Sequence, residues 1–137
     1  MTFPRAVPRL DASNRPFWTG GEQHELRIMR CQACHRFVHP PRPMCRYCLS
    51  EHVSAEAVAG TGEVFSYTVN YQQWHPKMEV PFVIARIALD DVPGVLLTSN
   101  VINCDPESVD IGDRVEVVFE QQNEIWYPLF QRIGGDV

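Results

Sequence analysis

The chain has 137 residues, 45% of them hydrophobic and 21% charged, with a formal net charge of −5. That balance describes one folded domain, or two small ones with a modest core, and excludes a disordered tail. No apolar run approaches the roughly 18 residues of a membrane span, so no membrane association is expected.

Residues 1–10 contain Pro4 and Pro8 and read as extended. They lack the apolar core of a signal peptide, which points to a cytoplasmic setting. A short helix is expected over Asn14 to Trp18, with Asp11 or Ser13 as N-cap and Gly20-Gly21 as its stop. Phe17 and Trp18 form a large apolar pair on this small element. Such a pair either staples the helix to its own domain or meets a partner. Leu26 and Ile28 then alternate with Arg27 and Met29 in a strand-like lead-in.

The motif that organises the chain follows: Cys31-Gln-Ala-Cys34, ten residues, then Cys45-Arg-Tyr-Cys48. Two Cys-x-x-Cys pairs supply the four soft thiolates of a tetrahedral zinc site. Four sulfurs leave no open position, so the site reads as structural. Iron of rubredoxin type would use the same sulfurs, and redox dithiols or disulfides are the other readings. His35 and His39 stand close enough to replace a cysteine, though four thiolates make this unnecessary.

After Cys48 the chain leaves through Val53 to Val58 and turns at Gly60-Thr61-Gly62. Phe65, Tyr67, Val69 and Tyr71 alternate with polar residues, predicting a strand with one inward apolar face. Residues 72–81 form a long loop carrying Trp74, His75 and Met78. Strands are expected over Phe82 to Leu89 and Val95 to Ile102, joined by the turn 90–94. Asp105 to Ser108 reads as a brief helical turn. Arg114 to Glu120 is the next strand, with Val115, Val117 and Phe119 on one side. Gln121 to Glu124 is read as a polar loop, and Trp126 to Ile133 as the last strand, where Pro128 marks an edge or bulge. Five strands in about 75 residues suit a small closed barrel, an OB-fold ahead of an SH3-like barrel or sandwich. The expected fold class is therefore mainly β: an N-terminal helical segment over 1–25, a zinc ribbon over 26–58 and an OB barrel over 59–137. The fifth cysteine, Cys104, reads as a small core residue.

Charge is unevenly spread. Residues 26–50 hold Arg27, Arg30, Arg36, Arg42 and Arg46 and no acid, whereas residues 87–137 hold ten acids against Arg114 and Arg132. Lys77 is the only lysine. Local positive charge on the metal module suits one or two phosphate groups better than a polyanion.

Taken together, Phe17-Trp18-x-Gly20, Leu26-Arg27-Ile28-x-x-Cys31-x-x-Cys34 and Pro40-Pro41-Arg42-x-x-Cys45-x-x-Cys48 resemble a known family. Gly60-Thr61-Gly62-x-Val64-x-Ser66-Tyr67-Thr68, Val80-Pro81-Phe82, Asn103-Cys104-Asp105-Pro106 and Ile111-Gly112-x-x-Val115-x-Val117-x-Phe119 extend the likeness. The chain is similar to the acyl-CoA-associated OB-fold proteins with a rubredoxin-like zinc ribbon, small partners of thiolase-like enzymes. The resemblance covers about Asp11 to Phe130. It implies N-terminal helices, ribbon and barrel in that order, with zinc on Cys31, Cys34, Cys45 and Cys48. It also implies a hetero-oligomer with a thiolase-fold protein, including the lipid-transfer-type thiolases and aldolases of steroid side-chain breakdown. That partner carries the carbon–carbon bond chemistry, with a CoA thioester as ligand of the complex. The family often has glycine after each second knuckle cysteine, where this chain has His35 and Leu49.

Independent catalysis would require a nucleophile paired with a base, and nothing in the sequence pairs His75 with Cys104. An accessory subunit accounts for more of the chain. Phe17, Trp18, Trp74 and Met78 are the expected partner contacts. Arg27, Arg30, Arg36, Arg42 and Arg46 are candidates for CoA phosphates, because a guanidinium binds phosphate oxygens bidentately. The rival is a single-stranded nucleic-acid module using Tyr67, Tyr71 and Trp74 for stacking; the acidic barrel and single lysine argue against it.

Overall fold

The computed structural model describes residues 5–134. The first of its two sheets has β1 (Leu26–Cys31) at the centre, between the two-residue β2 (Phe37–Val38) and β3 (Val53–Val58). The second is a closed barrel of β4 (Thr61–Asn70), β5 (Phe82–Leu89), β6 (Leu96–Ile102), β7 (Arg114–Gln122) and β8 (Ile125–Arg132). Their order is β4-β5-β6-β8-β7, and β7 closes back onto β4. All neighbours are antiparallel except β6 and β8, which pair parallel at Val101–Phe130 and Ile102–Gln131. Closure removes the free edges of the sheet, and this is the five-stranded OB architecture expected.

β3 was not expected as a strand. Its Ser-Ala-Glu-Ala centre lacks the β-branched and aromatic residues that mark strands. Pairing along all six residues of β1, Leu26–Val58 through Cys31–Val53, holds it instead.

β4 keeps only part of the expected face, with Val69 packed against the core. Its register shifts between Val64 and Ser66, so a bulge interrupts the alternation. Gly62 and Val64 are buried, whereas Phe65 is 56% exposed, Tyr67 38% and Tyr71 59%. The aromatic row read as core is therefore largely surface. Gly62 permits the close pairing with β5: a Cβ there would lie 2.4 Å from the Ala88 carbonyl oxygen.

The helix α1 (Arg15–Thr19) has proline in its first turn and Asn14 at its N-cap, which makes no side-chain capping bond. The Asp11 carboxylate accepts from the N–H groups of Ser13 and Asn14, so it closes the preceding turn rather than the helix. The α-helix stops where Gly20-Gly21 was expected to end it, with Gly20 as its C-cap, and the chain continues as a 3-10 turn over Gly20–Gln23 capped by His24 at φ 60°. Gly21 lies so near the barrel that a Cβ would meet the Phe119 ring and Trp126 Cβ at 2.7 Å.

One continuous core joins the modules. Phe17 of α1, Leu26 and Ile28 of β1 and Phe37 of β2 pack with Val64, Ile87, Val115 and Phe130 of the barrel. A second cluster lies on the outer side of β8, where Leu10 and Trp18 cover Ile125, Tyr127 and Leu129. Trp18 meets Tyr127 edge-on at 5.6 Å. Phe17, at 6% exposure, thus staples the helix to its own domain and is withdrawn from the partner contacts expected of it. Burying such a ring is worth roughly 1.5–3 kcal/mol.

Pro128 takes the edge position expected, paired on the β7 side only, and no bulge interrupts the pairing there. It sits inside β8 opposite Phe119, and the β6 ladder begins only at Phe130, past the missing N–H. The Ser99 hydroxyl donates to the Pro128 carbonyl instead, at 2.7 Å. The expected loop 121–124 contracts to Asn123-Glu124, with Asn123 at φ 57°.

Candidate metal centre and its arginine surround

The two Cys-x-x-Cys segments fold into matching knuckles at one end of the three-stranded sheet. In the first, Cys31 N–H donates to the Arg36 carbonyl and His35 N–H to the Cys31 carbonyl, both at 2.9 Å. In the second, Cys45 N–H donates to Ser50 and Leu49 N–H to Cys45, again at 2.9 Å. His35 and Leu49 both adopt φ 65°, the left-handed turn that glycine favours. Leucine is strained there, yet the second knuckle closes as the first does.

The four Sγ atoms lie within 4.8 Å of one another, and no histidine joins the set. Cys31–Cys48 and Cys34–Cys45 are 3.6 and 3.7 Å apart. Sulfurs at the corners of a tetrahedral zinc site, with Zn–S near 2.3 Å, stand about 3.8 Å apart. The set therefore fits a structural zinc, which would bind on Cys31, Cys34, Cys45 and Cys48 and tie both knuckles to the sheet.

Local N–H groups prepare the sulfurs. Those of Cys34 and Ala33 lower the Cys31 pKa to about 6 against the effect of burial. Those of Cys48 and Tyr47 lower Cys45. For Cys48 the Ser50 N–H acts downward, but the neighbouring cysteines prevail and raise it to about 11. Four thiolates this close repel one another, and a bound dication removes the conflict.

The structure divides the five ribbon arginines. Arg27 pairs with Glu25 at 2.9 Å, and Arg30 with Glu56 at 3.5 Å while lying over the Phe37 ring. Arg36, Arg42 and Arg46 have no ion pair among the described residues. Arg36 and Arg46 both lie over the half-exposed ring of Tyr47, at 4.8 and 5.1 Å from its centroid. Sequence reading passed over Tyr47, although its place between two metal ligands forces it outward.

The ChsH2 rubredoxin-like zinc ribbon domain matches residues 18–53, and the ChsH2 C-terminal OB-fold domain matches residues 55–120. This chain belongs to the ChsH2 (DUF35) family. It is similar to the solved Ltp2-ChsH2(DUF35) aldolase, with 32% identity and a TM-score of 0.81 over 92% of this chain and 98% of that one. Over 128 residues, 93% of this chain, it is 34% identical to a probable enoyl-CoA hydratase alpha subunit of Thermomonospora curvata. Over 103 residues, 75% of this chain, it is 36% identical to the 3-oxo-4,17-pregnadiene-20-carboxyl-CoA hydratase alpha subunit of Mycobacterium tuberculosis. The matches span 40% and 32% of those two proteins.

Elsewhere on this ChsH2-family chain, Trp74 is 73% exposed at the tip of the loop between β4 and β5. Its indole N–H donates to Asn70 at 3.3 Å. Met78, by contrast, is half-buried, its carbonyl accepting from Gln73. Trp18 is half-buried against Tyr127. The expected partner contacts are thus scattered: Phe17 faces inward, Trp18 and Met78 are partly covered, and Trp74 stands in solvent. Phe65 and Ile84 add exposed apolar surface on β4 and β5. Cys104 is half-buried against the barrel core. Among the described residues, no helix is long and apolar enough to cross a membrane.

Proposed function

We propose that this chain is a non-catalytic accessory subunit of a thiolase-like enzyme that makes or breaks carbon–carbon bonds in acyl-CoA thioesters. The observation that carries the reading is the uncovered aromatic surface of β4, β5 and their loop. Phe65, Tyr71 and Trp74 are each more than half exposed, and large apolar groups left in solvent on neighbouring elements suit an interface. The partner supplies the chemistry, whether retro-aldol cleavage, thiolysis or condensation. The ribbon's zinc is structural and holds the docking surface in place. Reduced thiolates of this kind suit the cytoplasm. The kinship with an aldolase and two CoA-named hydratase subunits supports the substrate class. The name of the mycobacterial relative favours a steroid or other lipid-derived acyl group.

Within that complex, Arg36, Arg42 and Arg46 are the residues to contact CoA phosphates, since Arg27 and Arg30 already have carboxylate partners. Replacing Arg36 and Arg42 by alanine should weaken CoA-ester binding by the complex and leave the zinc in place. Unchanged affinity would remove the phosphate role.

The docking claim is tested by co-expressing the tagged chain with its native partner. The wild type should co-purify stoichiometrically with a thiolase-fold enzyme, and Phe65→Ser combined with Trp74→Ser should release it. Capture of a partner without that fold, or retention by the double variant, would refute it. The exposed aromatics also fit base stacking, which gives a single-stranded oligonucleotide reading some support. Against it, only Arg86 and Lys77 bring positive charge to β5 and the loop. Salt-dependent oligonucleotide binding would decide for that reading.

A further inference from the structure

A cleft of about 580 Å³ opens where the three modules meet. Its size falls among small-molecule sites, about 300–1,000 Å³, and domain junctions are where such sites concentrate. Trp18 of α1, Pro41 of the ribbon, and Leu96 and Leu129 of the barrel give it apolar walls. In a chain of net charge −5, no carboxylate among the described residues lines it.

Its polar groups include donors that stand free. Arg86 is exposed on β5 and has no ion pair among the described residues. Its cross-strand neighbour Thr98, also exposed, lines the cleft beside it. The His39 ring lies 5.1 Å from Phe17, with Nδ1 sealed from solvent and without a hydrogen-bond partner. Burial lowers the His39 pKa and keeps the ring neutral. Arg5 is fixed by Glu120 at 2.6 Å and Asn100 at 2.9 Å. Arg5 and Asn100 also line a second cavity of about 310 Å³, which Met78 and Glu79 of the β4–β5 loop border.

We propose that this cleft binds an apolar carboxylate, its acid group on the Arg86 guanidinium and its hydrocarbon along Trp18, Leu96 and Leu129. One free guanidinium matches one carboxylate, in the bidentate geometry that arginine favours. A polyphosphate would call for more cations than the cleft supplies. The site lies within this chain alone, so it stands or falls separately from docking to an enzyme.

The test uses the full-length, zinc-loaded chain and titration calorimetry below the micellar concentration of each probe. Dodecanoate should bind one molecule per chain, about tenfold or more tighter than dodecanol, as loss of a charge-assisted hydrogen bond implies. Arg86→Ala should erase that preference, and Thr98→Trp should fill the cleft and block both probes. Thermal midpoint and zinc content check the fold of each variant, and Arg86→Ala at an exposed position remains decisive if the tryptophan variant misfolds. Dodecanoyl-CoA separates the sources of the acid group. If only the CoA ester binds, or if dodecanoate binds equally to wild type and Arg86→Ala, the proposal is overturned. Absence of saturable dodecanoate binding would overturn it too.

Discussion

Leu49 holds left-handed backbone in the second knuckle while its side chain is 68% exposed. The left-handed conformation costs a residue with a Cβ roughly 1–2 kcal/mol, and an exposed side chain recovers little of that through packing. Glycine removes the strain but adds freedom to the unfolded chain, offsetting about half of the gain. Leu49→Gly should therefore stabilise the protein by about 0.5–1 kcal/mol, read as a higher thermal midpoint at unchanged zinc content. A lower midpoint would mean that the leucine side chain supports the knuckle.

Asp90 makes a second prediction at this scale. Arg114, at 3.0 Å between Nη1 and Oδ1, and the Thr61 hydroxyl, at 2.6 Å, lower its pKa to about 2. A carboxylate held below its unfolded value adds stability above that value, near 3.9, and loses it as pH falls toward 2. Asp90→Asn should lower the thermal midpoint at pH 6, with the difference from wild type shrinking between about pH 4 and pH 2. A difference constant across that range would remove the carboxylate from the account.

At the scale of elements, the helix and the β4–β5 loop predict opposite behaviour for two large aromatics. Phe17→Ala empties a buried site and should cost about 3 kcal/mol of stability. Trp74→Ala should leave stability within about 0.5 kcal/mol and weaken only the complex. Comparable unfolding midpoints for the two variants would contradict the assignment. The same contrast shows what the sequence could reveal. Cysteine spacing gave the metal ligands and the knuckles, because ligand chemistry is local. Strand count and turns gave the barrel, because alternation and Gly, Pro and Asp punctuation are local too. The outward turn of Phe65 was hidden, since it is the extra residue of a bulge, and a bulge leaves no mark on composition. β3 was hidden because its partner, not its own residues, makes it a strand. Arg30 finds Glu56 only through folding, 26 residues along the chain, whereas Glu25 stands two residues from Arg27 in the sequence itself.

For the molecule as a whole, the shared core couples the metal to the barrel. β1 carries Cys31 at one end and buries Leu26 and Ile28 among barrel residues. Binding energy at such a site is folding energy. Chelation, or Cys45→Ser, should lower the unfolding midpoint of the entire chain in one cooperative transition. A barrel that melts unchanged after zinc removal would show the modules to be independent.

The central claim is that this chain completes an enzyme without being one. The direct measurement is carbon–carbon bond turnover of an acyl-CoA thioester by the purified chain, by the proposed thiolase-like partner, and by the two mixed. Full activity is predicted for the mixture, with none for the chain alone and a partner crippled without it. Turnover by the isolated chain, or a partner equally active without it, would contradict the account.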